Sequence, residues 1–69
     1  MEIRWTDGFE IIVAVNNGEI VISANREGLL SLADILTDMA REEGRTHIHL
    51  DQYNSLEEQS LPLVIEKSE

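Results

Sequence analysis

The chain has 69 residues and no cysteine, is 42% hydrophobic and 28% charged, and sets 14 acidic against 5 basic side chains, for a formal net charge of −9. That length holds one small domain, and the missing cysteines exclude disulfides, thiolate zinc sites and thiol catalysis. So acidic a surface repels phosphate, which argues against nucleic acid and anionic membranes as partners and in favour of basic proteins.

Ile3 and Trp5 alternate with Glu2 and Arg4, as in a short first strand, and Thr6-Asp7-Gly8 then reads as a turn. Over residues 9–15, Phe9, Ile11, Val13 and Val15 share one face of a second strand, with Glu10, Ile12 and Ala14 on the other. Asn17-Gly18 is the favoured pair for a two-residue type I′ hairpin, because both central positions need positive φ, so residues 19–24 return as the partner strand.

Asn25 suits a helix N-cap, and beyond it the period changes. Leu29, Leu32, Ala33, Leu36, Met39 and Ala40 recur at three- and four-residue spacing, which predicts one apolar helical face. Gly28 falls in the first turn, where the backbone is expected to pass close to the sheet, and Gly44 is expected to end the helix in the left-handed conformation. Glu42 and Glu43 oppose the helix dipole in the last turn, only partly offset by Arg41 and Arg45.

Residues 46–51 alternate again, with Ile48 and Leu50 inward and His47, His49 and Asp51 on the opposite face. Residues 53–60 are polar and read as an ordered loop; residues 61–66 read as the last strand, and since Pro62 cannot donate a ladder hydrogen bond, the strand either lies at a sheet edge or has Pro62 at its very start. The expected fold is α+β: a single two-layer domain over residues 1–69, with a four- or five-stranded mostly antiparallel sheet and one helix packed on one face, in the order β-β-β-α-β-β. The uncovered face would bring Ile12, Ala14, Val21 and Val64 together with Ser23, His47 and His49. Such a face marks an interface unless the first strand or the Tyr53 loop folds over it. The longest apolar run, residues 11–15, is far short of the ~20 residues that span a bilayer. No signal-like segment opens the chain, so a cytoplasmic location is expected.

His47, His49 and Asp51 are the one constellation resembling a site, since alternate strand residues project from the same face about 7 Å apart. Two imidazoles and a carboxylate at that spacing suit a metal, with Glu57 and Glu58 as outer carboxylates. The alternative is a set of polar side chains facing solvent or a partner. No Gly-x-Ser-x-Gly elbow and no phosphate-cradling glycine loop is readable, so an enzyme is not expected, nor is a cofactor. A binding module is the other option: Tyr53 stands among Asp51, Glu57 and Glu58, an aromatic anchor with an acidic rim.

The segment Ile22-Ser23-Ala24-Asn25-Arg26-Glu27-Gly28-Leu29-Leu30-Ser31-Leu32-Ala33, the strand His47-Ile48-His49-Leu50-Asp51 followed by Tyr53-Asn54 and Leu56-Glu57, and the closing Leu63-Val64-Ile65-Glu66-Lys67 resemble the small immunity proteins of bacterial polymorphic toxin systems, the immunity protein 32 group. The first fifteen residues add nothing to this likeness. The resemblance implies a cytoplasmic α+β protein that binds and neutralises a cognate toxin domain, and many such toxins are basic nucleases, which the charge of −9 suits. The contact surface it suggests is His47, His49 and Asp51 with the loop through Tyr53, Glu57 and Glu58. Two other readings compete: a small metal-binding protein or enzyme using His47, His49 and Asp51, and a structural homodimer joined through the second sheet face around Val21 and Val64.

Overall fold

A computed structural model describes all 69 residues, Met1–Glu69. Its elements are β1 (Ile11–Asn16), β2 (Glu19–Ala24), α1 (Arg26–Arg41), β3 (Thr46–Leu50) and β4 (Leu63–Lys67). β1 and β2 form one antiparallel hairpin and β3 and β4 another, as two separate two-stranded sheets. The class is therefore α+β, as expected, but a single four- or five-stranded sheet does not form.

The reason lies in the segment between β3 and β4. Along the free edge of β1, Glu57 N–H donates to the Ile11 carbonyl at 2.9 Å and Leu61 N–H to the Val13 carbonyl at 2.8 Å, while Ser60 Oγ accepts from Val13 N–H at 3.2 Å. The acceptors are two residues apart and the donors four, because a turn closed by Ser60 N–H on the Glu57 carbonyl, with Gln59 at φ 70°, loops out between them. A ladder needs matched two-residue steps on both strands, which this stretch does not supply, so pairing with β1 stops before β4 begins. Val21 and Val64 consequently lie on different hairpins, and the continuous second sheet face expected around them is absent.

The expected first strand is also absent. Ile3 and Trp5 do point inward and Arg4 outward, but this strap runs along α1 instead of joining a sheet. The amino group of Met1 lies 3.0 Å from Glu42, Thr6 N–H donates to Ser31 Oγ at 2.8 Å, and the Gly8 carbonyl accepts from Asn25 Nδ2 at 2.8 Å. Trp5 and Phe9 stack with ring centroids 4.5 Å apart. β1's outer edge is already occupied by the loop, and the strap lies on the helix.

The core is Ile11 and Val13 of β1, Leu32, Ile35 and Met39 of α1, Ile48 and Leu50 of β3, and Leu56 of the loop. The helix thus packs across the inner faces of both hairpins. Its buried stripe is Gly28, Ser31, Leu32, Ile35 and Met39, rolled away from the expected one: Leu29 and Leu36 are about half exposed. Two small residues set the roll. A Cβ on Gly28 would meet the Glu10 carbonyl oxygen at 2.5 Å, and Ser31 is fully buried, donating to the Glu27 carbonyl while accepting from the strap. Gly28 thus lets the helix meet the Glu10 carbonyl, and Ser31 lets the strap lie against the helix.

Both helix ends are tied to the rest of the fold. Asn25 Oδ1 accepts from Gly28 N–H at 2.8 Å and from Glu10 N–H at 3.0 Å, and its backbone N–H donates to the Glu10 carbonyl. One side chain therefore caps α1, holds the strap and anchors β1. Asn25→Ala is expected to cost about 2 kcal/mol, the upper end for an N-cap, whereas Asn25→Asp, which keeps the acceptor and loses only the donor to Gly8, costs less; chemical denaturation of the two variants checks the order. At the other end the helix stops at Arg41 with Glu42 as C-cap, two residues before Gly44, whose φ of 74° serves the following bend. Lys67 of β4 donates to the Ala40 and Glu42 carbonyls. That ammonium adds to Arg41 as positive charge at the helix C-terminus.

A histidine pair and a rigid tyrosine loop

β3 alternates as expected, so Ile48 and Leu50 enter the core while His47 and His49 stand exposed on the outer face. Their rings meet edge to face with centroids 5.1 Å apart, opposite Glu66 and Val64 of β4. Asp51 does not join them. β3 ends at Leu50, and the Asp51 carboxylate accepts from Tyr53 N–H at 2.9 Å in an Asx turn. No group of three or more His, Asp or Glu side chains is arranged to hold a metal ion.

Asp51 instead organises the loop that follows. Its carbonyl accepts from the N–H groups of Asn54, Ser55 and Leu56, and its N–H donates to Asn54 Oδ1 at 3.0 Å. Asn54 Nδ2 reaches back to the His49 carbonyl at 3.0 Å, and Gln52 accepts from Gln59 N–H across the loop. Leu56, only 4% exposed, plugs the loop into the core, and Glu57 and Leu61 fasten its far end to β1. The loop is thus braced at both ends and in the middle.

Tyr53 sits at the apex of this frame, 88% exposed. The backbone that carries this exposed ring is already ordered, so less backbone freedom is lost on binding, as suits an interface anchor. Glu57 and Glu58 follow on the same loop, both exposed. Of the six expected site residues, five are therefore presented on the surface of β3 and its loop, and Asp51 supports them from within. Sequence reading missed Asn54 and Leu56 as the loop's supports; the Asp-x-x-Asn spacing, characteristic of side chains that bond local backbone, was the available signal.

Elsewhere the surface offers little for a small molecule. A shallow cavity of about 230 Å³ is lined by Glu10, Ile12, Ser23, Ala24 and Asn25, below the ~300–1,000 Å³ usual for ligand sites. No helix is long and apolar enough to cross a membrane.

Comparison with known proteins gives one assignment. No curated protein and no solved structure matches the chain. The family model described as Immunity protein 32 matches residues 19–68, which span β2, the helix, the histidine strand, the tyrosine loop and β4. That is well over half of the sequence and includes every residue of the surface just described, so the chain belongs to the immunity protein 32 family.

Proposed function

We propose that the protein binds a cognate bacterial toxin domain and neutralises it by stoichiometric occupation, with the loop carrying Tyr53, Glu57 and Glu58 and the adjoining His47–His49 face as the contact surface. The observation that carries this reading is Tyr53: 88% exposed, yet held by a network that immobilises its backbone. A solvated loop needs no such bracing. Family membership supplies the class of partner, and the net charge of −9 supplies its sign: a basic surface on the toxin, reached by electrostatic steering. The protein acts by occupation and not by catalysis, in the cytoplasm, where it protects the cell that makes the toxin.

The experiment is to express the C-terminal segment of the neighbouring reading frame in a sensitive bacterium, with and without this chain, and to count survivors. Killing that this chain relieves supports the proposal; killing that persists, or a harmless neighbour, contradicts it. The charge contribution has its own signature. Glu57→Lys together with Glu58→Lys is expected to slow association about tenfold or more at low salt while changing dissociation little, because exposed rim charges act on encounter. Stopped-flow mixing with the toxin at two ionic strengths measures it, and the difference between variant and parent should shrink as salt is added.

A further inference from the structure

The outer edge of β2 has no partner. The carbonyls of Ile11 and Val13 are engaged by the loop on the far side of β1, so the backbone of these residues faces away from β2. In an antiparallel pair the residues directly opposite share that orientation, so Ile22 and Ala24, and by alternation Ile20, turn their N–H and C=O groups to the free edge of β2. Their side chains fall on the same sheet face as Ile11 and Val13, but the core ends before the hairpin tip: Val15 is 58%, Ile20 75% and Ile22 45% exposed. This edge carries none of the usual protection. β2 has no lysine, no proline and one charge, Glu19, at its start.

We propose that this edge pairs with β2 of a second copy of the chain, antiparallel and about a two-fold axis at Val21, to make a four-stranded sheet. Ile20 then lies opposite Ile22 of the second copy, which aligns the outward N–H and C=O groups and joins the exposed isoleucines on one face. Glu19 lies opposite Ser23, so no carboxylates collide.

Three observations support pairing with a second copy. The chain exposes 5134 Å², whereas a compact 7.8 kDa monomer exposes about 4,400 Å². The surplus is close to the ~800 Å² that each partner contributes to a standard interface. The edge also carries a single charge, Glu19, in a strongly acidic molecule, so an identical strand meets it in this register without opposed carboxylates. Finally, a core of eight residues with no disulfide is of the size that oligomerisation commonly supplements, and a second copy of the chain is present from synthesis onward. The dimer leaves the Tyr53 loop outside the pairing strand and is independent of the toxin reading.

Sedimentation of the purified chain at micromolar concentration is expected to give twice the monomer mass, with the amides of Ile20 and Ile22 protected from hydrogen exchange although neither bonds β1. Ile20→Lys, at a mostly exposed position, is expected to yield a folded monomer by circular dichroism with both amides exchanging freely, while Tyr53→Ala stays dimeric. A monomeric parent chain overturns the proposal. So does a dimer whose Ile20 and Ile22 amides exchange freely, and so does protection that appears only when the toxin is added. The exchange measurement on the unaltered chain decides the matter even where Ile20→Lys does not fold.

Discussion

Gly28→Ala is expected to destabilise the protein by about 1–3 kcal/mol, although at an ordinary helix position the same change stabilises by about 1 kcal/mol. The sign reverses because the new Cβ meets the Glu10 carbonyl oxygen at 2.5 Å, with Ala24 Cβ and the Ile11 side chain at 3.0 Å. The carbonyl cannot move aside, since it accepts the Asn25 N–H that joins helix to hairpin. Relief therefore requires α1 to lift from β1, which opens the contact between Ile11 and the rest of the core. In a domain of this size, where the core supplies no more than roughly 3–5 kcal/mol, such a loss lowers Tm by about 10 °C and leaves an appreciable unfolded fraction. Thermal unfolding followed by circular dichroism measures the shift; an unchanged or raised Tm would show that helix and hairpin are not in close contact at this point.

Tyr53→Ala is expected to weaken toxin binding by at least about 2 kcal/mol, about thirtyfold in Kd, with Tm unchanged within error. The two readouts part because the ring is 88% exposed and contributes nothing to the core, whereas the backbone bonds that shape the loop run through Asp51, Asn54 and Leu56. Asp51→Ala should weaken binding by a different route. It removes the carboxylate that holds Tyr53 N–H, loosens the loop and weakens binding by raising the entropic cost of ordering it. Isothermal titration of both variants separates a lost contact from a lost frame: the tyrosine change acts mainly on enthalpy, and the aspartate change carries a larger entropic penalty.

The local features of the fold were legible wherever one residue type answers one conformational demand. Asn17-Gly18 marked the hairpin, and both residues do take positive φ; Asn25 marked the helix start, and its side chain caps Gly28. What could not be read was how elements meet. The alternation of Ile3 and Trp5 is real as burial, but alternation records which way side chains point and says nothing of whether a strand edge is free to pair. The helix offered a broad apolar arc, and its roll was settled by Gly28 and Ser31, small residues that contribute almost nothing to a hydrophobic pattern and everything to close approach. Pro62 announced an interruption in pairing, yet the looped-out turn at Glu57–Ser60 that keeps the hairpins apart is visible only in the backbone bonds to β1.

The surface residues divide along the same line. His47, His49, Tyr53, Glu57 and Glu58 stand where strand alternation and loop polarity put them. Asp51 was grouped with the histidines by its spacing of two, but β3 ends one residue before it, and the chain turns there because Asp51 and Asn54 satisfy each other's backbone. The exposure of Ile20 and Ile22 follows from the helix and loop stopping short of the hairpin tip, which the pattern of β2 does not reveal.

Titration of the purified toxin domain tests its occupation by this chain most directly. With toxin held far above Kd and this chain added in steps, toxic activity should fall in a straight line and vanish at one chain per toxin, with both proteins eluting together. Activity that survives an excess of the chain would contradict the account, and so would complete loss at a small fraction of equivalence, which would mean that the chain turns over and acts as an enzyme.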